Sequence, residues 1–213
     1  MEKRGPIFER IYKDYMKQIR SISFERVADQ LNLEMRDGSL EIPFFHKRYL
    51  VSKDEITDLE GKRPIYAECV VLAKYIILCP QEPPPPFREW WTFKDFKDSA
   101  PFAGAFNSNV EKAIARNFSS KAEELKRACR ALGAEEPQDI SLSYEVVMKF
   151  RALPTMDILL VFNDADEEFP AEARVLFPDN ADSYLDMECL AISGWLLSDY
   201  LYIQTGGKHF TIM

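Results

Sequence analysis

The chain has 213 residues, 46% of them hydrophobic and 29% charged, which is enough apolar material for a sizeable core and excludes wholesale disorder. Its 35 acidic and 27 basic residues leave a net charge of −8, which opposes both a phosphate-tracking surface and adhesion to an anionic membrane. No nucleic-acid or membrane partner is therefore expected.

From the N-terminus, Ile7, Phe8, Ile11, Tyr12, Tyr15, Ile19 and Ile22 recur at helical spacing with Pro6 near the start, predicting an amphipathic first helix. Charges scattered through this stretch leave no h-region, so a signal peptide is not expected and the protein reads as cytoplasmic. A second helix follows Ser23, a good N-cap, through Phe24, Val27, Ala28 and Leu31. Asp37-Gly38 then separates two alternating runs, Leu33/Met35 and Leu40/Ile42/Phe44, which predicts a hairpin whose turn needs positive φ at both central residues. Tyr49 to Val51 offers a third strand.

Ile65, Cys69, Leu72, Ile76 and Cys79 predict a mostly buried helix opening at Pro64. The apolar run within it, Val70 to Cys79, is broken by Lys74 and falls far short of the ~20 residues a membrane-spanning helix needs. Pro80 and Pro83 to Pro86 stop the helix and impose an extended connector, which also has the composition of a polyproline ligand. Trp90, Trp91, Phe93 and Phe96 follow. Pro101 to Phe106 reads as a loop, and Asn107 or Ser108 as the cap of a helix running to about Phe118. Another helix, Ser120 to Leu132, ends at Gly133. Tyr144–Phe150, Met156–Phe162 and Glu172–Phe177 alternate as an antiparallel meander, and a long apolar-faced helix begins near Asp186.

The expected architecture is an α+β fold, with an antiparallel β-meander packed with several helices, plus an N-terminal helical segment and a small β-hairpin. It reads as one domain, with residues 1–60 as an N-terminal helix-and-hairpin part, 61–205 as the main body and 206–213 as a flexible tail.

Chemistry-bearing patterns are sparse. Cys69, Cys79, Cys129 and Cys189 are widely scattered, with no close pair and no neighbouring histidine, so no metal site is expected of them. They read as reduced, buried thiols. His46 sits in a surface turn beside Lys47 and Arg48, and His209 in a Gly-flanked tail; either is an axial ligand or proton shuttle in principle, and solvated in the simpler reading. The turn carrying Asp164, Asp166, Glu167 and Glu168 lacks the central Gly and terminal Glu of a calcium loop and reads as a solvated hairpin tip. Asp179, Asp182 and Asp186 suit the N-terminus of the last helix, where carboxylates complement free N–H groups.

The one surface that carries a binding expectation is aromatic. Arg88, Trp90, Trp91, Phe93, Phe102, Gly104 and Phe106 combine flat rings with the small residues Ala103 to Ala105, as a groove for a planar ligand or a partner would. Arg88 and Lys94 flank it and suit carboxylate or phosphate groups. An ordinary aromatic core seam is the competing reading.

Ala152-Leu153-Pro154, Asp164 to Glu168, Phe169-Pro170, Val175-Leu176-Phe177 and Tyr184-Leu185 resemble an uncharacterised family, a domain of unknown function seen mainly in anaerobic bacteria and archaea. The Trp90 to Phe96 segment and Phe102 to Phe106 are similar to that family's middle region, so the likeness covers roughly Glu60 to Leu201. Members are often joined to or beside the four-cysteine iron–sulfur domain of corrinoid iron–sulfur proteins. Here Pro178 intervenes between Leu176-Phe177 and Asp179, and the four-cysteine domain is absent, so no cluster carries over.

The resemblance implies a setting of anaerobic corrinoid or iron–sulfur metabolism. A corrinoid or other planar ligand, and a corrinoid or iron–sulfur partner protein, follow from that setting alone. No cofactor is evident from the residues themselves. The leading expectation is a non-catalytic binding or accessory domain. The alternatives are an enzyme whose site assembles from distant segments, with His46, Arg88 and Asp179 as members, and a structural subunit docking through an aromatic face.

Overall fold

A computed structural model describes residues 5–140 and 142–207. Two helices open the chain, α1 (Pro6–Arg20) and α2 (Phe24–Leu31). Pro6 lies in the first turn of α1, where its missing N–H is not needed. Ser23 caps α2 by accepting from the Arg26 N–H, as its position predicts.

The first sheet is a four-stranded antiparallel meander, β1 (Glu34–Arg36), β2 (Ser39–Phe44), β3 (Lys47–Val51) and β4 (Ile56–Asp58), in sequence order. Asp37 and Gly38 have φ of 51° and 77°, the two positive values the β1–β2 turn requires. Leu40, Ile42, Phe44, Tyr49, Val51 and Ile56 alternate onto one buried face. The Tyr12 hydroxyl of α1 accepts from the Ile56 N–H at 2.9 Å, tying the first helix to β4.

Helix α3 (Tyr66–Ile77) follows, buried on nearly every side. After the polyproline connector, β5 (Trp90–Thr92) joins a second sheet with order β5-β8-β7-β6, in which β6 (Val146–Leu153), β7 (Met156–Asn163) and β8 (Glu172–Pro178) form the predicted meander. Inner-face residues Met148, Phe150, Ile158, Leu160, Phe162, Val175 and Phe177 enter one continuous core with both sheets' buried side chains. Helix α7 (Met187–Gln204) runs through that core, which its apolar character on all sides requires. Its N-cap, Asp186, accepts from the Cys189 N–H at 3.0 Å and pairs with Lys74 at 2.9 Å. No helix among the described residues is long and apolar enough to cross a membrane.

One stretch differs from the sequence expectation. Pro101 to Phe106 is not a loop, and neither Asn107 nor Ser108 caps a helix. α4 (Ala100–Phe106) passes through a π turn, Asn107–Glu111, directly into α5 (Lys112–Phe118). Pro101 is tolerated because it occupies the first turn. The π turn places the buried Glu111 against β8, where it accepts from the Val175 N–H and the Arg174 guanidinium and, on its own helix, from the Asn107 amide.

The acidic turn between β7 and β8 has a structural task. Helix α6 (Ala122–Ala131) has no side-chain cap of its own, and Asp164 supplies one from a distance, accepting from the Ser120 and Ala122 N–H groups. Partial burial pushes the Asp164 pKa up, but the N–H donors of Ser120, Ala165 and Ala122 outweigh it and hold the carboxyl below its usual range. Asp164→Ala should therefore cost about 0.5–2 kcal/mol at neutral pH. A folded-state pKa below the unfolded one gives stability that is fully present above the unfolded value and is lost as pH falls through the folded one. Urea titrations should show the gap between wild type and Asp164→Ala closing in acid; a gap that is constant with pH would contradict the cap.

Candidate functional site

The structure divides the seven aromatic-groove residues among four environments. Phe93 and Phe106 are core residues. Their rings stack at 4.3 Å and 9°, and Phe106 is only 4% exposed. Phe102 and Trp91 are partly buried against the same core, Trp91 meeting Phe96 edge-on at 5.2 Å and donating its indole N–H to Glu89. Gly104 faces outward, and a side chain added there would meet nothing within 4 Å. The expected groove beside Gly104 is therefore corrected. Phe106 turns inward, because the small residue its ring needs is Gly194 of α7, where an added Cβ would lie 2.5 Å from the ring.

Arg88 and Trp90 belong elsewhere, to a cleft of about 570 Å³ on the face of the second sheet opposite the core. One wall is the segment entering β5, where Phe87 and Trp90 meet at 5.1 Å and 61° and Phe87 is 49% exposed. This wall is fixed to the end of β8. Asp179 accepts from the Arg88 N–H and donates its own N–H to the Glu89 carbonyl, while the Asn180 amide reaches the Pro85 carbonyl. The floor is the β6–β7 hairpin, with Lys149, Arg151 and Asp157 projecting from one face. Asp139 and Ile140, in the connection after α6, form the far wall. The Tyr75 and Thr155 hydroxyls, 2.7 Å apart, brace the hairpin from α3.

The electrostatics of the floor are internally matched. Arg151 Nε lies 2.6 Å from Asp157 Oδ1, a contact that is an ion pair without aligned hydrogen-bond geometry, and Lys149 pairs with Glu135 at 3.3 Å. Burial raises the Asp157 pKa, and the neighbouring Arg151 and Lys149 only partly oppose it.

A second polar cluster was not expected from sequence. Glu68 of α3, 3% exposed, accepts from Lys47 Nζ at 2.8 Å, from the Tyr200 hydroxyl at 2.6 Å and from the Ile65 N–H at 3.2 Å. The Tyr49 hydroxyl lies beside the same carboxylate and Tyr200 but forms no well-aligned hydrogen bond. Burial, with the Glu68 charge next in weight, drives both tyrosine pKa values far up, so both stay protonated. His46 caps this cluster from the β2–β3 turn, its ring edge-on to Tyr200 at 5.2 Å; burial and then the Lys47 charge push its pKa down. The preceding Phe45 has φ of 52°, unusual for a bulky residue, and its N–H donates to the Ala152 carbonyl of the second sheet. These groups lock the two sheets and α3 to α7. His46 does not line the cleft that holds Arg88, so the three residues of the enzyme alternative, His46, Arg88 and Asp179, are not one site.

Among the described residues the four cysteines are buried and free, and no three His, Cys, Asp or Glu side chains converge as metal ligands would. Burial raises the pKa of Cys79, Cys129 and Cys189, which makes them poor nucleophiles. His209 and the last residues of the tail lie outside the described residues.

These features define an α+β protein of two antiparallel sheets and a helical core, with an aromatic and charged cleft at a sheet end. The chain belongs to the family described as a domain of unknown function, DUF3786, whose model matches residues 23–200. No curated protein and no solved structure matches it.

Proposed function

We propose that this is a non-catalytic binding or accessory protein that takes a planar, charged ligand, or such a group on a partner, in the cleft beside Trp90. The observation that carries the reading is the joining of Arg88 and the Phe87–Trp90 pair to a charged hairpin floor around about 570 Å³. Small-ligand sites are typically ~300–1,000 Å³ and join aromatic surface to a few placed polar groups. The resemblance described above supports a setting in anaerobic corrinoid or iron–sulfur metabolism. A whole corrinoid is bulkier than the cleft and would seat only a ring edge or side chain there, leaving the rest for a partner protein.

Calorimetry with cobalamin, haem and flavin mononucleotide tests the proposal. Saturable binding of at least one is expected, weakened about tenfold or more by Trp90→Ala without a change in melting temperature. Binding that ignores Trp90→Ala, or no binding by any of the three, would overturn it.

A further inference from the structure

The charged groups of the cleft differ in what they already hold. Lys149 is paired with Glu135, Arg151 with Asp157, and Glu89 receives the Trp91 indole N–H. Among the described residues the Arg88 guanidinium and the Asp139 carboxylate have no hydrogen-bond or ion-pair partner. One cation and one anion thus remain unengaged, and they belong to different walls.

Arg88 stands in the segment entering β5 and Asp139 in the connection between α6 and β6, and β5 and β6 are the two outer strands of the order β5-β8-β7-β6. The Phe87–Trp90 aromatic pair flanks Arg88 on its own wall. A ligand carrying only a negative charge would satisfy Arg88 but face Asp139, and a purely cationic one would meet the reverse conflict.

From this arrangement we infer that the cleft selects a zwitterion: a ring-bearing molecule with a carboxylate at one end, held by Arg88, and an ammonium at the other, held by Asp139. The inference rests on the binding reading above and narrows its ligand class. Arg88 supplies the planar, two-pronged donor that suits a carboxylate. Trp90 supplies the face against which the ring packs.

The test uses the whole protein and three matched probes, 4-(aminomethyl)benzoate, 4-methylbenzoate and 4-methylbenzylamine, titrated by calorimetry. The zwitterion should bind about tenfold more tightly than either single-charge analogue, as loss of one charged hydrogen bond requires. Arg88→Ala should bring its affinity down to that of 4-methylbenzylamine, and Asp139→Asn to that of 4-methylbenzoate. Equal affinity for all three probes, or tighter binding of a single-charge analogue, would overturn the zwitterion inference. If a single-charge analogue binds more tightly and Trp90→Ala abolishes that binding, the binding reading survives while this inference fails. If no probe binds and Trp90→Ala changes nothing for the larger planar ligands either, both fail together.

Discussion

Glu68→Ala should lower the stability of the protein by about 2–5 kcal/mol, because it opens a cavity and leaves the buried Tyr200 hydroxyl without its acceptor. Three donors converge on that carboxylate, from Lys47, Tyr200 and the Ile65 backbone, and all three would lose their acceptor together. Lys47 and Ile65 are partly exposed and can turn to water, but the buried Tyr200 hydroxyl cannot do so as readily. Glu68→Gln keeps the shape and one acceptor oxygen and should cost less, about 1–3 kcal/mol. Urea unfolding at neutral pH separates the two variants. A Glu68→Ala protein within 1 kcal/mol of wild type would show that water replaces the carboxylate and that the cluster does not lock the sheets to the helices.

The second large effect lies where α4 crosses α7. Phe106→Ala should cost about 3–5 kcal/mol, because its ring is enclosed by the Phe93 stack, Phe177 and the Gly194 backbone. Gly194→Ala should cost about 1–3 kcal/mol, by overpacking. The new Cβ would lie 2.5 Å from Phe106 Cε2 and 2.8 Å from Cζ, and the stack on Phe93 prevents the ring from withdrawing. The two changes should not add. Once the ring is gone the alanine at 194 has room, so the double variant should be no less stable than Phe106→Ala alone. Additive losses would mean that Gly194 is required for another reason.

The parts of this architecture that were legible in sequence are those whose residues carry a period. Met156 to Phe162 and Glu172 to Phe177 alternate and pair as expected, and Ser23, Asp186, Asp37-Gly38 and Gly133 occupy the cap and turn positions their chemistry requires. β4 and β5 were not foreseen, because each is three residues long and exists through pairing with a neighbour, β5 with the distant β8. The composition of Pro101 to Phe106 predicts a loop, yet the segment is helical. Packing of Phe106 against Gly194 outweighs the weak local propensity there.

The candidate site was less legible than the fold. Arg88 and Trp90 were singled out for their types and lie on the cleft. Phe93, Gly104 and Phe106 do not share that surface, because closeness in sequence does not put side chains on one face. The remaining walls come from residues 139–140, 149–157 and 178–180, and no local pattern announces that convergence. The Glu68 cluster did leave a signal: one carboxylate inside an otherwise apolar helix, flanked by Ala67 and Cys69, demands a buried partner.

The claim that the cleft beside Trp90 is the binding surface can be read from three resonances. The chain has three tryptophans, Trp90, Trp91 and Trp195, so a nitrogen–proton correlation spectrum gives three indole signals, assignable with single Trp→Phe variants. Trp195 lies on α7, away from the residues lining the cleft. On titration with whichever planar ligand binds most tightly, the account predicts a saturable shift of the Trp90 signal, with Trp195 unmoved. A shift centred on Trp195, or binding that leaves the Trp90 signal in place, would contradict it.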